Sequence, residues 1–341
     1  MGIFSRTITF VVILIVLAFV GIMAGVQLVV QSLPPPVPYA PSANSMSVAP
    51  NNPSIYTSPD AEGEIVMDGS FAATTTALSP DTSLDKAINE SISSPVAPKP
   101  NPNDITASAY IVGNVLTGKV YISSHPTGVF PVASMSKLMT AIVATGMFSA
   151  TTTISITKPE TDVPPDASNL QAGEMFALKD LLYPLLLASS NVAAEAIASS
   201  TGRLHFMDVM SNTAWEIGMP DTYFMDPSGL DPRNEASAND MFALARYLYT
   251  YRPDILAITR TPHMDMATTT DHESHIFDST HPFVNDPRFI GGKTGRTPEA
   301  GETMLTILRI NSQPIVFIVL HSAYGERAND TTKLIKKYEM L

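Results

Sequence analysis

The chain has 341 residues, 20 basic against 32 acidic, and a formal net charge of −12. An acidic chain without a basic cluster lacks the electrostatic footprint of a nucleic-acid binder. The absence of cysteine excludes disulfides, thiolate metal sites and a lipid-modified cysteine anchor.

Thr7 to Leu33, "TITFVVILIVLAFVGIMAGVQLVVQSL", carries no charge and exceeds the ~20 apolar residues that cross a bilayer as a helix. Arg6 precedes it, and no Lys or Arg follows until Lys86. That asymmetry keeps the N-terminus in the cytoplasm and sends the rest outside. Ala24 and Gly25 would suit signal-peptide cleavage, but the apolar run is longer than a signal core, so an uncleaved anchor over residues 1–33 is expected. Residues 34–104 hold 13 of the chain's 28 prolines, with Ser and Asn and few large apolar side chains. Such a stretch buries too little surface to offset the entropy of ordering and reads as a disordered linker.

The folded domain is expected over 105–341. "SAYIVGNVLTGKVYIS" reads as two strands around a turn at Thr117-Gly118. An apolar helical stretch headed by Ser134 follows, then the Pro-rich loop "KPETDVPPDASN". "ALKDLLYPLLLASSNVAAEAIASS" reads as two helices broken at Ser189-Ser190-Asn191. "LHFMDVMSNTAWEIGM" and "ANDMFALARYLYTY" are further helices. "DHESH" places His272 and His275 in a polar loop and does not make a zinc site. "RFIGGKTG", "ETMLTILRI" and "PIVFIVLHS" form an antiparallel meander, and "NDTTKLIKKYEM" closes as a helix. Strands at both ends with helices between point to an α+β domain, a sheet flanked by helices with a helical subdomain.

Ser134 stands three residues before Lys137, which on a helix puts hydroxyl and amine on one face, the geometry of a serine beside its base. Alone, S-x-x-K also reads as a helix cap followed by a solvated lysine. Two more elements follow in order: Ser189-Ser190-Asn191, and Lys293-Thr294-Gly295 after a Gly-Gly pair on a strand. "GGKTG" is not a nucleotide P-loop, because Pro287 stands where that motif requires glycine.

S-x-x-K, S-x-N and K-T-G in this order are the signature of penicillin-recognising serine enzymes. From Ala107 to Leu341 the chain resembles the low-molecular-mass penicillin-binding proteins, specifically the D-alanyl-D-alanine carboxypeptidases. "LQAGEMFALKDLLYPLLLASSNVAAEAIA", "MSNTAWEIGMPDTYFMDPSGLD" and "GGKTGRTPEAGETM" carry the likeness beyond the three motifs. The resemblance implies a β-lactamase/penicillin-binding-protein-like fold, no cofactor and no metal. Ser134 would attack the carbonyl between two terminal D-alanines. Lys137 would be its base, its pKa lowered by burial or by a second cation, for which Lys293 is the candidate. Ser189 would relay a proton to the leaving amine, and Asn191 would hold the substrate amide. Lys293, Thr294 and Gly295 would bind the terminal carboxylate, with Arg327 near it. The backbone N–H groups of Ser134 and Arg296 would form the oxyanion hole, and Ser136 would be structural.

The family usually has Gly between the Ser and Asn of the second motif and Asp after it; here Ser190 and Val192 stand there. Loss of that Asp removes an expected tether for the following helix. Peptidoglycan stem peptides are the implied substrates, β-lactams the implied inhibitors, and the outer face of a bacterial cytoplasmic membrane the implied location. A D,D-endopeptidase acting on cross-links would use the same machinery, and a catalytically weak wall-binding protein would keep the same fold. A class A-like β-lactamase would need an E-x-x-L-N glutamate that the chain lacks between Asn191 and Lys293; Glu174 and Asp180 are expected on a loop and a structural helix.

Overall fold

The computed structural model describes residues 104–341 other than Pro165. The anticipated anchor Thr7–Leu33 and the linker up to Asn103 lie outside the described residues. Among the described residues no helix is long and apolar enough to cross a membrane.

In chain order, β1 (Ala109–Asn114) and β2 (Val120–Ser124) form the expected hairpin, followed by β3 (Val129–Pro131). A 3-10 turn, Ala133–Ser136, leads into α1 (Lys137–Met147). Next come β4 (Thr153–Ser155), the one-turn α2 (Lys158–Thr161), β5 (Met175–Ala177), α3 (Leu178–Leu186), α4 (Asn191–Ser199) and α5 (Arg203–Glu216). β6 (Glu235–Ser237), α6 (Ala238–Tyr251), α7 (Pro253–Thr259), β7 (His263–Met266) and β8 (His275–Asp278) follow. The meander β9 (Phe289–Thr297), β10 (Gly301–Ile310), β11 (Gln313–Ser322) and the closing helix α8 (Arg327–Glu339) complete the chain.

The main sheet has the order β2-β1-β11-β10-β9, antiparallel throughout. The N-terminal hairpin thus joins the C-terminal meander through β1 and β11. β11 explains its own apolar run: Val316, Ile318 and Leu320 enter the core shared with the helices, while Ile315, Phe317 and Val319 enter a second core with Leu334 and Ile335 of α8. A strand covered on both faces needs no polar alternation. β9 is left at the edge of the sheet, where Gly292 N–H donates to Thr259 Oγ1 of α7 at 3.1 Å.

Two local expectations are corrected. Ser134 does not head an α-helix; Ala133 at φ +48° turns the chain, Ser134 sits inside the 3-10 turn, and α1 begins at Lys137. His275 is not in a loop. It opens β8 and is buried, because Glu174 reaches it with a 2.7 Å contact to Nε2.

Candidate active site

The 3-10 turn, the α3–α4 break and the edge strand β9 converge. In a 3-10 turn, side chains three apart eclipse, so Lys137 lies directly over Ser134. Lys137 Nζ is 2.9 Å from Ser134 Oγ, 2.8 Å from Asn191 Oδ1 and 2.7 Å from the Ser228 carbonyl. Its side chain is wholly buried, and burial lowers its pKa to about 7, against the pull of Asp226, Asp166 and Glu195, whose negative charges raise it. Of the two expected causes, burial rather than a second cation brings Lys137 down. The charges that reach it most strongly are carboxylates, and desolvation outweighs them.

The neutral amine has two N–H donors and one lone pair. Asn191 Oδ1 and the Ser228 carbonyl can only accept, so they take both hydrogens. The lone pair is then left facing the Ser134 hydroxyl, which is the arrangement a general base requires.

The second motif occupies the break between α3 and α4. Pro184 inside α3 leaves its carbonyl to accept from the Ser190 N–H at 2.9 Å, and Ser189 takes the left-handed conformation at φ +61°. Ser190 Oγ accepts from Ala193 N–H and caps α4. Lys293, on β9, donates to Ser189 Oγ at 2.8 Å and to the Thr294 carbonyl at 3.0 Å. Burial and the neighbouring cations Lys137 and Arg327 push Lys293 well below the ordinary lysine range. An incoming carboxylate would reverse that bias and recharge it.

Thr294 Oγ1 is 3.2 Å from Thr280 Oγ1. Arg327 donates to the Gly295 carbonyl at 3.0 Å, so the structure brings it to β9 beside the third motif. Arg296 extends outward, its guanidinium over the Tyr324 ring. Gly295 is required by close approach: a Cβ there would stand 2.7 Å from the Val132 carbonyl and 2.5 Å from Thr303 Oγ1. This draws β9 against the turn that carries Ser134 and brings Arg296 close to it. Ser136 is structural as expected, donating to the Ala133 carbonyl and accepting from Asn234 Nδ2.

Several residues that build the site had no role assigned from sequence. The segment "DPSGLD" folds around Asp226, whose carboxylate accepts from the N–H groups of Ser228, Gly229, Leu230 and Asp231 and from Ser228 Oγ. That fixes the Ser228 carbonyl on Lys137. Gly229, at φ +83°, passes so close to the 3-10 turn that a Cβ would lie 2.0 Å from the Ala133 carbonyl. An Asp followed by Pro-Ser-Gly is an Asx-turn signal that could have been read. The tether missing at Val192 comes from Asp166 in the Pro-rich loop, which accepts from the N–H groups of Asn191 and Val192.

Residues 95–323 match the family model described as D-alanyl-D-alanine carboxypeptidase. The chain belongs to this family. A D-alanyl-D-alanine endopeptidase of Pseudomonas aeruginosa is 29% identical over 248 residues, covering 70% of this chain and 79% of its own. A D-alanyl-D-alanine carboxypeptidase from Mycobacterium tuberculosis shares the fold, with TM-score 0.64 and 23% identity over 72% of this chain and 96% of its own. Penicillin-binding protein D2 of Listeria monocytogenes, solved with cefotaxime bound, gives TM-score 0.60 and 27% identity over 70% of this chain and 98% of its own. The protein is a serine-type D-alanyl-D-alanine peptidase of the low-molecular-mass penicillin-binding class. Its domain has the α+β penicillin-binding-protein fold.

Proposed function

We propose that this D-alanyl-D-alanine carboxypeptidase uses Ser134 as nucleophile and Lys137 as base to trim peptidoglycan stem peptides at the outer face of the cytoplasmic membrane. The observation that carries the assignment is the Lys137 amine, its pKa lowered to about 7, whose neutral form has both hydrogens committed and its lone pair toward Ser134. Ser134 Oγ attacks the carbonyl of the penultimate D-alanine, and its proton passes to Lys137. The oxyanion is met by the N–H groups of Ser134 and Arg296. Ser189, bonded to Lys293, carries a proton to the leaving amine. D-alanine departs, water attacks the acyl-serine, and Ser134 is restored. Lys293, Thr294 and Arg327 hold the terminal carboxylate, a group matched by cations and a hydroxyl.

The endopeptidase relative supports a second reading, cleavage of cross-links by the same residues. Mass spectrometry of products from the full-length chain separates them: D-alanine release from uncross-linked pentapeptide is expected, and activity confined to cross-linked dimers would replace the carboxypeptidase reading. The residues 1–33 anchor and residues 34–104 linker complete the proposal and rest on the sequence pattern. Protease added to intact spheroplasts should free a penicillin-binding fragment. Cleavage only after lysis would reverse the topology.

A further inference from the structure

We propose that Asp166 is a positioning residue for acylation: a carboxylate brought by the Pro-rich loop that locks the Ser189-Ser190-Asn191 turn and so sets the Asn191 contact on Lys137. The proposal deepens the active-site assignment above and rests on it.

One oxygen of Asp166 accepts from the N–H groups of Asn191 and Val192 and from Ser190 Oγ at 3.1 Å. The other accepts from Ser168 N–H at 2.9 Å and from Ser168 Oγ. Ser168 Oγ and Ser190 Oγ also lie 2.7 Å apart, and with one hydrogen each, a hydroxyl that donates to its neighbour does not also donate to Asp166. Two serine hydroxyls and three backbone amides, of Ser168, Asn191 and Val192, thus converge on one carboxylate. Charge-assisted bonds of this kind are about twice as strong as neutral ones. The first residues of a helix leave N–H groups unpaired, and here Asp166 and Ser190 pair them.

The arrangement bears on chemistry because Asn191 has two ends. Its backbone N–H is held by Asp166, and its side-chain Oδ1 accepts one of the two hydrogens of Lys137. If the backbone shifts, Oδ1 shifts, and the Lys137 lone pair no longer points at Ser134. Ser189 opens this turn at φ +61°, a conformation that non-glycine residues rarely adopt, and the Asp166 bonds hold the turn from outside.

The loop is anchored at both ends. Before it, Glu160 accepts from Thr157 N–H at 2.8 Å and closes a capping box on α2. After it, Glu174 accepts from Gln171 N–H and Glu273 N–H and contacts His275. Asp166 lies between these two anchors. Its charge also reaches Lys137, together with Asp226 from the "DPSGLD" segment and Glu195 on α4, while the Lys293 amine on β9 is held well below the ordinary lysine range by burial and by Lys137 and Arg327.

The test is acylation of the full-length chain by fluorescent penicillin, followed from about pH 5 to about pH 9. Wild type, Asp166→Asn, Asp166→Glu and Ser134→Ala are compared, with thermal denaturation as a control. Asp166→Asn should lower the plateau rate about 10- to 100-fold, the worth of a charged hydrogen bond. It should also move the acidic limb to lower pH, because an anion that favours the protonated amine is gone. Asp166→Glu keeps the charge and should leave the limb in place while recovering part of the rate. Wild-type rate and limb in a folded Asp166→Asn would overturn the proposal. So would a rate loss that only follows a lower melting temperature with the limb unmoved. Equal labelling of Ser134→Ala would overturn the active-site assignment itself and this inference with it.

Discussion

With Lys137 near 7, acylation of Ser134 should fall steeply as pH drops. The neutral fraction is about one-half at pH 7, about one-tenth at pH 6 and about one-hundredth at pH 5, and the rate should follow it. A lysine at its ordinary value would be neutral only about once in 3,000 at pH 7, so burial supplies some three decades of base. The same shift costs stability. The unfolded chain binds a proton between about 7 and 10.5 that the folded site rejects, so this lysine's contribution makes stability rise with pH across that window and fall as pH drops toward 7. On account of this one group, activity rises with pH through about 7 and then levels off, whereas stability goes on rising from about 7 to about 10.5. Lys137→Arg isolates the effect, because a guanidinium stays protonated throughout. Acylation should drop about 10²- to 10⁴-fold and lose its acidic limb. Stopped-flow labelling with fluorescent penicillin at stepped pH reads both. A wild-type rate flat down to pH 5, or a midpoint near the ordinary lysine value, would refute Lys137 as a base tuned by burial.

Arg327→Ala should raise KM for a D-alanyl-D-alanine peptide about 10-fold, and leave unchanged a substrate whose terminal carboxylate is converted to the amide. Equal loss on both substrates would remove Arg327 from carboxylate recognition. Gly229→Ala should destabilise the domain by about 3 kcal/mol or more in denaturant titration, since its Cβ would have to displace the Ala133 backbone beside Ser134. A stable, fully active variant would mean that the 3-10 turn is not held where it stands. The penicilloyl adduct at Ser134 should outlast turnover of a peptide substrate by orders of magnitude, measured by intact mass against time.

Local pattern carried the elements that are long and periodic. Three motifs in order located Ser134, Lys137, Ser189, Asn191 and Lys293, and the apolar runs of β10 and β11 located the sheet. What escaped were pairings between distant, non-periodic segments. Nothing in "PPDASN" states that Asp166 will reach Asn191, because its partners are backbone N–H groups, which every residue has. His275 sits in a hydrophilic string and reads as loop; only its pairing with Glu174, 101 positions earlier, makes it a buried strand residue. For Lys137 the sequence left two causes open, burial or a second cation, and could not choose between them: desolvation depends on everything packed around the amine, and sequence shows only which charges exist.

The deacylation half of the reaction turns on which carboxylates are free. Three act electrostatically on Lys137, and all are committed. Asp226 accepts four backbone N–H groups of its own loop. Asp166 holds the Asn191 turn. Glu195 takes both arms of Arg203, at 2.8 and 3.2 Å. Glu174, ahead of the second motif in sequence, is occupied by His275 and two backbone amides. A β-lactamase needs a carboxylate that holds and deprotonates water over the acyl-serine, and each of these would have to break several charge-assisted bonds to do so. Among the described residues, the side chain bonded to Ser134 Oγ is Lys137. On the proposed assignment, Lys137 would also activate the water, which would reach it through the space the leaving group occupied. Departing D-alanine empties that space. An opened β-lactam keeps its leaving group tethered and fills it, so the same geometry that turns over the peptide should trap the antibiotic. Decay of the penicilloyl adduct at the peptide turnover rate would show that some other group activates the water.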